Sequence, residues 1–142
     1  MPFNLCENAP LTGLDASGIA MDHSKQVLVV DDSRVSRLMA HQFILSKHAD
    51  WQVTEAATGE EALEKAHALH PYLILLDVNM PGMGGVAAAE QLRALYPQTH
   101  IFLVTANVQN ATRNRASELK VGFMEKPITE MRIHQLIDSL EP

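Results

Sequence analysis

From Lys25 onward the chain alternates between two patterns of apolar and polar positions. Short unbroken apolar runs at residues 27–30, 73–76 and 101–104 have the length of strands buried on both faces, and 121–124 reads as another strand. Between them, apolar residues recur every three or four positions, the spacing of amphipathic helices. Val35, Leu38, Met39 and Leu45 mark a first helix, with Ser33 placed to cap it. Ala62, Leu63, Ala66 and Leu69 mark a second, preceded by the capping-box pair Thr58 and Glu61 and stopped by Pro71. Ala88, Leu92 and Leu95 mark a third, ending before Pro97. Ala111, Ala116 and Leu119 form the apolar side of a polar fourth helix over 109–120. Thr129 precedes the last, whose stripe of Ile133, Leu136, Ile137 and Leu140 is the cleanest in the chain. A further stretch, 51–57, alternates imperfectly and is polar for a buried strand, which suits the edge of a sheet.

Five strands alternating with five helices predict an α/β fold, a parallel sheet covered on both faces. The first strand ends at Asp31-Asp32 and the third at Asp77. Two acid-bearing strand ends belong side by side at a switch point, which with right-handed crossovers predicts a flavodoxin-like (βα)5 doubly wound sheet of order 2-1-3-4-5. Residues 1–24 read differently, with Pro2, Pro10, Gly13, Gly18 and little periodicity. They are expected to be a flexible extension, with at most one helical turn around 14–21, and 25–142 to be one domain.

Composition narrows the classes. The chain has 142 residues, 46% hydrophobic, enough for one ordinary core. A net charge of −6 argues against a nucleic-acid surface. Cys6 is the sole cysteine, so no intramolecular disulfide forms and a reducing compartment is expected. No apolar run approaches the roughly 20 residues that span a bilayer, and no secretory signal opens the chain. The expected setting is cytoplasmic, with neither membrane nor nucleic acid as partner.

The chemistry sits where the strands end. Asp31 and Asp32, Asp77, Thr105 and Lys126 follow four different strands, and in a parallel sheet all these ends share one edge. Each alone has an ordinary explanation: a solvated acid pair, a β-branched filler, a surface charge. Together they point to phosphoryl chemistry. Packed carboxylates repel, by roughly 4 kcal/mol for two unit charges ~4 Å apart at an effective dielectric of ~20. A hard divalent cation such as Mg²⁺ relieves that repulsion. An aspartate can accept a phosphoryl group as a covalent nucleophile, and the transfer needs positioning and charge neutralisation above all. Asp77 is the expected nucleophile; Lys126 supplies charge, and the Thr105 hydroxyl can bond a phosphoryl oxygen.

The motifs around these residues are Val-Leu-Val-Val-Asp31-Asp32-Ser, Leu-Leu-Asp77-Val-Asn79-Met80-Pro81-Gly82-Met-Gly84-Gly85, Val-Thr105-Ala106 and Phe123-Met-Glu-Lys126-Pro127. Over Lys25 to about Leu140 the chain resembles the receiver domains of response regulators, the CheY-like family of two-component signalling. The resemblance implies that Asp77 is the phosphoacceptor, supplied by a sensor histidine kinase or a histidine phosphotransfer protein. It implies Mg²⁺ held by Asp32 directly, Asp31 mostly through water, Asp77, and the backbone carbonyl of Asn79. Thr105 and Lys126 would hold phosphoryl oxygens, and a cis peptide is expected before Pro127. Phe123 stands where the family has its rotating aromatic; without a hydroxyl, its switch would be one of packing alone. Asn79 and Asn107 stand where the family tunes the lifetime of the phosphoryl group.

Other classes fit less well. A haloacid-dehalogenase-type phosphatase carries an acid two residues after its nucleophile, where this chain has Asn79. A flavin binder wants a Ser/Thr/Gly phosphate loop where Asp31-Asp32 stands, and a plain doubly wound domain leaves the joint pattern unexplained. His67 and His70, three apart near a helix end, read as solvated histidines favoured by the helix dipole rather than as metal ligands. The expectation is therefore a signalling switch rather than a conventional enzyme, a stand-alone regulator ending soon after its fifth helix. Its output would be protein contact through helix four, strand five and helix five, with Arg113, Arg115 and Lys120 giving basic character, as a monomer or a phosphorylation-dependent dimer. A terminal messenger acting on a downstream effector and a relay shuttle passing phosphate to a histidine phosphotransfer protein both remain open.

Overall fold

The computed structural model describes residues 25–107 and 109–140; the extension expected at 1–24 lies outside the described residues. Its elements run β1 (Gln26–Val30), α1 (Arg34–Lys47), β2 (Gln52–Ala56), α2 (Gly59–Leu69), β3 (Leu73–Asp77), α3 (Gly84–Leu95), β4 (His100–Thr105), α4 (Asn110–Leu119), β5 (Gly122–Glu125) and α5 (Glu130–Leu140). The strands form one sheet of order β2-β1-β3-β4-β5, with every neighbouring pair parallel. This is the expected flavodoxin-like arrangement, with β1 beside β3.

The sheet divides the core into two layers because successive strand side chains face opposite ways. Leu28, Val30, Ile74, Leu76, Ile101 and Leu103 pack under Ala62, Ala66, Ala88 and Leu92 of α2 and α3. Val27, Val29, Leu73, Leu75 and Val104 pack under Ala40 and Ile44 of α1 and Ile133, Leu136 and Ile137 of α5. All five residues of β3 are buried, while β2, at the edge, is only partly covered, as its polar sequence predicts. Helix starts follow the cap residues. The amide of Ser36 donates to the Ser33 hydroxyl, that of Glu61 to Thr58 and that of Arg132 to Thr129.

Four details differ from the sequence reading. The buried face of α1 is Ala40 and Ile44, not Val35, Leu38 and Met39, which are 66%, 51% and 36% exposed. At 100° per residue those three lie well over a quarter turn round the helix from the face of Ala40 and Ile44, so they point away from the sheet. Leu95, at the last turn of α3, is likewise exposed, and so is Ala111 in the first turn of α4, where only Ala116 is buried. The capping box is shifted: the Glu61 carboxylate accepts from the amide of Ala57, one residue before the cap Thr58.

Candidate functional site

The parallel register brings the strand ends together. Asp77, the last residue of β3, pairs with Val104 of β4, and Thr105 pairs with Glu125, the residue before Lys126. The amide of Val78 donates to the Val104 carbonyl and that of Lys126 to the Thr105 carbonyl, so the ladder continues into the loops. Gly85 donates its amide to the Val78 carbonyl and packs α3 so closely that a Cβ there would overlap the Asp77 carbonyl. Gly82 and Gly84 take positive φ of 80° and 77°, turning the chain from Asp77 into α3. The Lys126–Pro127 peptide is cis, as expected.

Asp77 is 4% exposed and Asp31 3%; Asp32 is exposed. One oxygen from each of the three carboxylates lies within 4.8 Å of the others. The Lys126 ammonium approaches Asp31 Oδ2 at 3.2 Å and Asp77 Oδ1 at 3.4 Å. Burial, and then the neighbouring Asp31 carboxylate, push the Asp77 carboxyl above its ordinary value, more than Lys126 and the Asn79 amide pull it down. Burial works against the charged Lys126, but Asp31 and then Asp77 outweigh it and hold that ammonium above its usual value. The cluster thus keeps an excess of negative charge that one lysine does not neutralise. Three hard oxygen donors converging with too little positive charge is the donor set a small divalent cation takes, and Mg²⁺ fits it.

The other expected residues are placed less directly. Thr105 is buried, but its hydroxyl is occupied within its own loop: it donates to the Asn107 carbonyl at 3.2 Å and accepts from the Asn107 amide at 3.1 Å. Asn79 and Asn107 are exposed, and the Asn79 amide approaches Asp77 Oδ1 at 3.4 Å. Phe123 is half-buried against the core, with the Arg113 guanidinium 5.4 Å from its ring centroid. His67 and His70 sit with ring centroids 6.5 Å apart; among the described residues, the Asp31, Asp32 and Asp77 group is the one set of three such side chains that could hold a metal.

The sequence reading missed the framework that holds the acid loop. The amide of Asp31 donates to the Ala56 carbonyl and that of Ser33 to Asp31 Oδ1, at 3.1 and 2.8 Å. Arg37, one turn into α1, donates from Nη1 to the Asp31 carbonyl at 2.7 Å and from Nε to Glu55 at 3.0 Å. Nothing in the periodicity separates Arg37 from Arg34; only the position of β2 does.

Comparison with known proteins agrees with this geometry. A family model for the response regulator receiver domain matches residues 27–138. Chemotaxis protein CheY of Thermotoga maritima is 32% identical over 120 residues, which cover 82% of this chain and 97% of that one. The autoinducer 1 sensor kinase/phosphatase LuxN of Vibrio campbellii is 33% identical over 108 residues, 76% of this chain but 12% of the relative. The protein-glutamate methylesterase/protein-glutamine glutaminase of Archaeoglobus fulgidus is 39% identical over 105 residues, 72% of this chain and 30% of the relative. This chain therefore spans under a third of the length of those two larger relatives. Among solved structures, CheY4 of Vibrio cholerae superposes with a TM-score of 0.75 at 27% identity, covering 82% of this chain and 98% of that one. With the family model covering most of the chain and a CheY matched over nearly its whole length, the chain belongs to the response regulator receiver family of two-component signalling.

Proposed function

We propose that Asp77 accepts a phosphoryl group from a histidine kinase or histidine phosphotransfer protein, in a Mg²⁺-dependent step, and that the phosphorylated chain acts by altered protein contact. The observation that carries this reading is the junction of Lys126 with both Asp31 and Asp77 beside a third acid, Asp32, with no acid at Asn79. In the transfer, an Asp77 carboxylate oxygen forms the new O–P bond as the N–P bond to the donor histidine breaks. The departing electron pair stays on the donor imidazole, which takes up a proton. Asp31, Asp32, Asp77 and the Asn79 carbonyl would hold Mg²⁺, which supplies positive charge against the phosphoryl oxygens. Lys126 adds its ammonium from the end of β5, on the same sheet edge. Its contact with Asp77 shifts to a phosphoryl oxygen as that carboxylate becomes an acyl phosphate, a mixed anhydride.

Output follows from Thr105 and Phe123. For the Thr105 hydroxyl to bond the new oxyanion it must leave its two contacts with Asn107, which moves the β4–α4 loop. That opens space toward which Phe123 packs, changing the face of α4, β5 and α5. Phosphorylation biases a pre-existing equilibrium to the extent that it favours one of the two states. The Phe102, Phe123, Met124 and Leu136 groove on that face, about 340 Å³, suits an effector segment.

A relay role has its own support. Val35, Leu38 and Met39 are exposed on α1, beginning three residues after Asp32. An apolar helical face beside the acceptor suits the helices of a phosphotransfer partner. Both a CheY and a sensor kinase/phosphatase stand among the relatives, in keeping with either role.

The test uses Mg²⁺ and acetyl phosphate. The intact mass should rise by one phosphoryl group, and Asp77→Ala should remove the rise. An unmodified wild-type mass, or full modification of Asp77→Ala, overturns the assignment. Capture of partners with and without beryllofluoride then separates effector binding from relay.

A further inference from the structure

We propose that Arg37 is a positioning residue that sets the metal affinity of the acid cluster by holding the Asp31–Asp32 peptide. The inference rests on the reading that Asp31, Asp32 and Asp77 take Mg²⁺.

The peptide groups around Asp31 are gripped from both sides. The Asp31 N–H is fixed to the Ala56 carbonyl at the end of β2. The Asp31 carbonyl is fixed by Arg37 Nη1 at 2.7 Å, the shortest contact to this loop. Arg37 is itself anchored, with Nε 3.0 Å from Glu55 Oε1, while Glu55 Oε2 lies 3.1 Å from His41 Nδ1 one turn further along α1. The backbone of Glu55 is tied in turn, since Lys65 of α2 donates to its carbonyl. Burial would raise the Glu55 carboxyl, but its bonds to His41 and Arg37 outweigh that and keep it below its usual range, so it stays ionised. α1, β2 and α2 thus converge, through one guanidinium, on the carbonyl that precedes Asp32. A planar fork can hold the Glu55 and Asp31 acceptors at once; an ammonium lacks that geometry.

Asp32 is the exposed member of the cluster, and a side chain on the surface is aimed mainly by its backbone. Freeing the preceding carbonyl lets that backbone rotate, so the third carboxylate loses its fixed place opposite Asp77. Coulomb's law gives the opposite sign. Arg37 is a cation close to a cation site, and its removal alone would tighten Mg²⁺. The two effects can therefore be told apart by direction.

The experiment is a Mg²⁺ titration of the full chain, followed by amide chemical shifts and by calorimetry, on wild type, Arg37→Gln, Arg37→Lys and Ile44→Val. The last loses α1 packing without touching the loop. Arg37→Gln should weaken Mg²⁺ binding about tenfold, the lower end for lost outer-shell support of a metal ligand. Arg37→Lys should fall between it and wild type, and Ile44→Val should match wild type. Unchanged or tighter binding in Arg37→Gln overturns the proposal, as does equal weakening in Ile44→Val. If Arg37→Gln does not fold, Arg37→Lys is judged by the same criterion: weaker than wild type supports, equal overturns. Wild type that binds no Mg²⁺ would instead overturn the functional reading beneath it.

Discussion

Asp77 is destabilising where it stands. Its carboxyl is held above the ordinary aspartate value of about 3.9, because burial and Asp31 disfavour the charge. The folded chain therefore binds that proton more tightly than the unfolded chain does. The sign follows from linkage: the group's contribution to stability is greatest below the unfolded value and is lost as pH rises through the folded one. Glu55 runs the other way. Its lowered value gives stability above the unfolded pKa that disappears as pH falls through the folded one. At neutral pH, metal-free, Asp77→Asn should then melt above wild type by a few degrees, on the order of 1 kcal/mol. Saturating Mg²⁺ should narrow or reverse that difference, because the asparagine has lost the charge the cation compensates. A lower metal-free melting point for Asp77→Asn in calorimetry would contradict the electrostatic account of the cluster. The residue string predicts that these acids meet and repel at one sheet edge; that burial outranks Asp31 in raising the Asp77 carboxyl is decided by the packed structure.

Helix α4 and strand β5 meet at an aromatic ring. Arg113 stacks over Phe123, and such a cation–π contact contributes about 0.5–1 kcal/mol at an exposed site. It holds the ring in its present half-buried place, in a chain whose aromatic has no hydroxyl to bond outside. If Phe123 switches as proposed, Arg113→Ala should release that hold and shift the proposed two-state equilibrium by the same amount, roughly two- to fivefold, toward the inward ring. Fluorine-labelled phenylalanine at position 123, observed with and without beryllofluoride, would register the change; an identical population in both proteins would rule the latch out. Helix α1 teaches the complementary lesson. Its sequence shows an apolar stripe of Val35, Leu38, Met39 and Leu45, and the fold leaves the first three in solvent while burying Ala40 and Ile44. Periodicity reports that a helix has an apolar face, not which partner covers it.

Taken whole, the molecule is two thin cores separated by a sheet, and each core depends on a few large residues. Ile137 of α5 is fully buried against the layer that carries Val27, Leu73 and Val104. Ile137→Ala should cost about 2–5 kcal/mol by urea unfolding, through lost burial and the cavity left behind. The same layer supports β1 and β3 beneath Asp31 and Asp77, so acetyl phosphate labelling of the folded variant should fall as well. A loss below about 1 kcal/mol would mean that α5 repacks freely there.

Strand and helix identity, strand order and the gathering of five chemical residues on one edge were all legible from the amino-acid order. Buried parallel strands need unbroken apolar runs, helices need 3.6-residue stripes, and right-handed crossovers leave few orders for two acid-ended strands that must meet. These are local or topological rules that a string of residues carries by itself. What only the tertiary structure decided is which atoms touch. It placed Lys126 between Asp31 and Asp77, engaged Thr105 with Asn107 instead of with the acids, and turned Val35, Leu38 and Met39 of α1 outward. It also recruited Arg37 and Glu55, two ordinary charges 18 positions apart, to hold the acid loop. Such contacts depend on distances of a few tenths of an ångström between elements far apart in sequence, and these are set by how the layers pack.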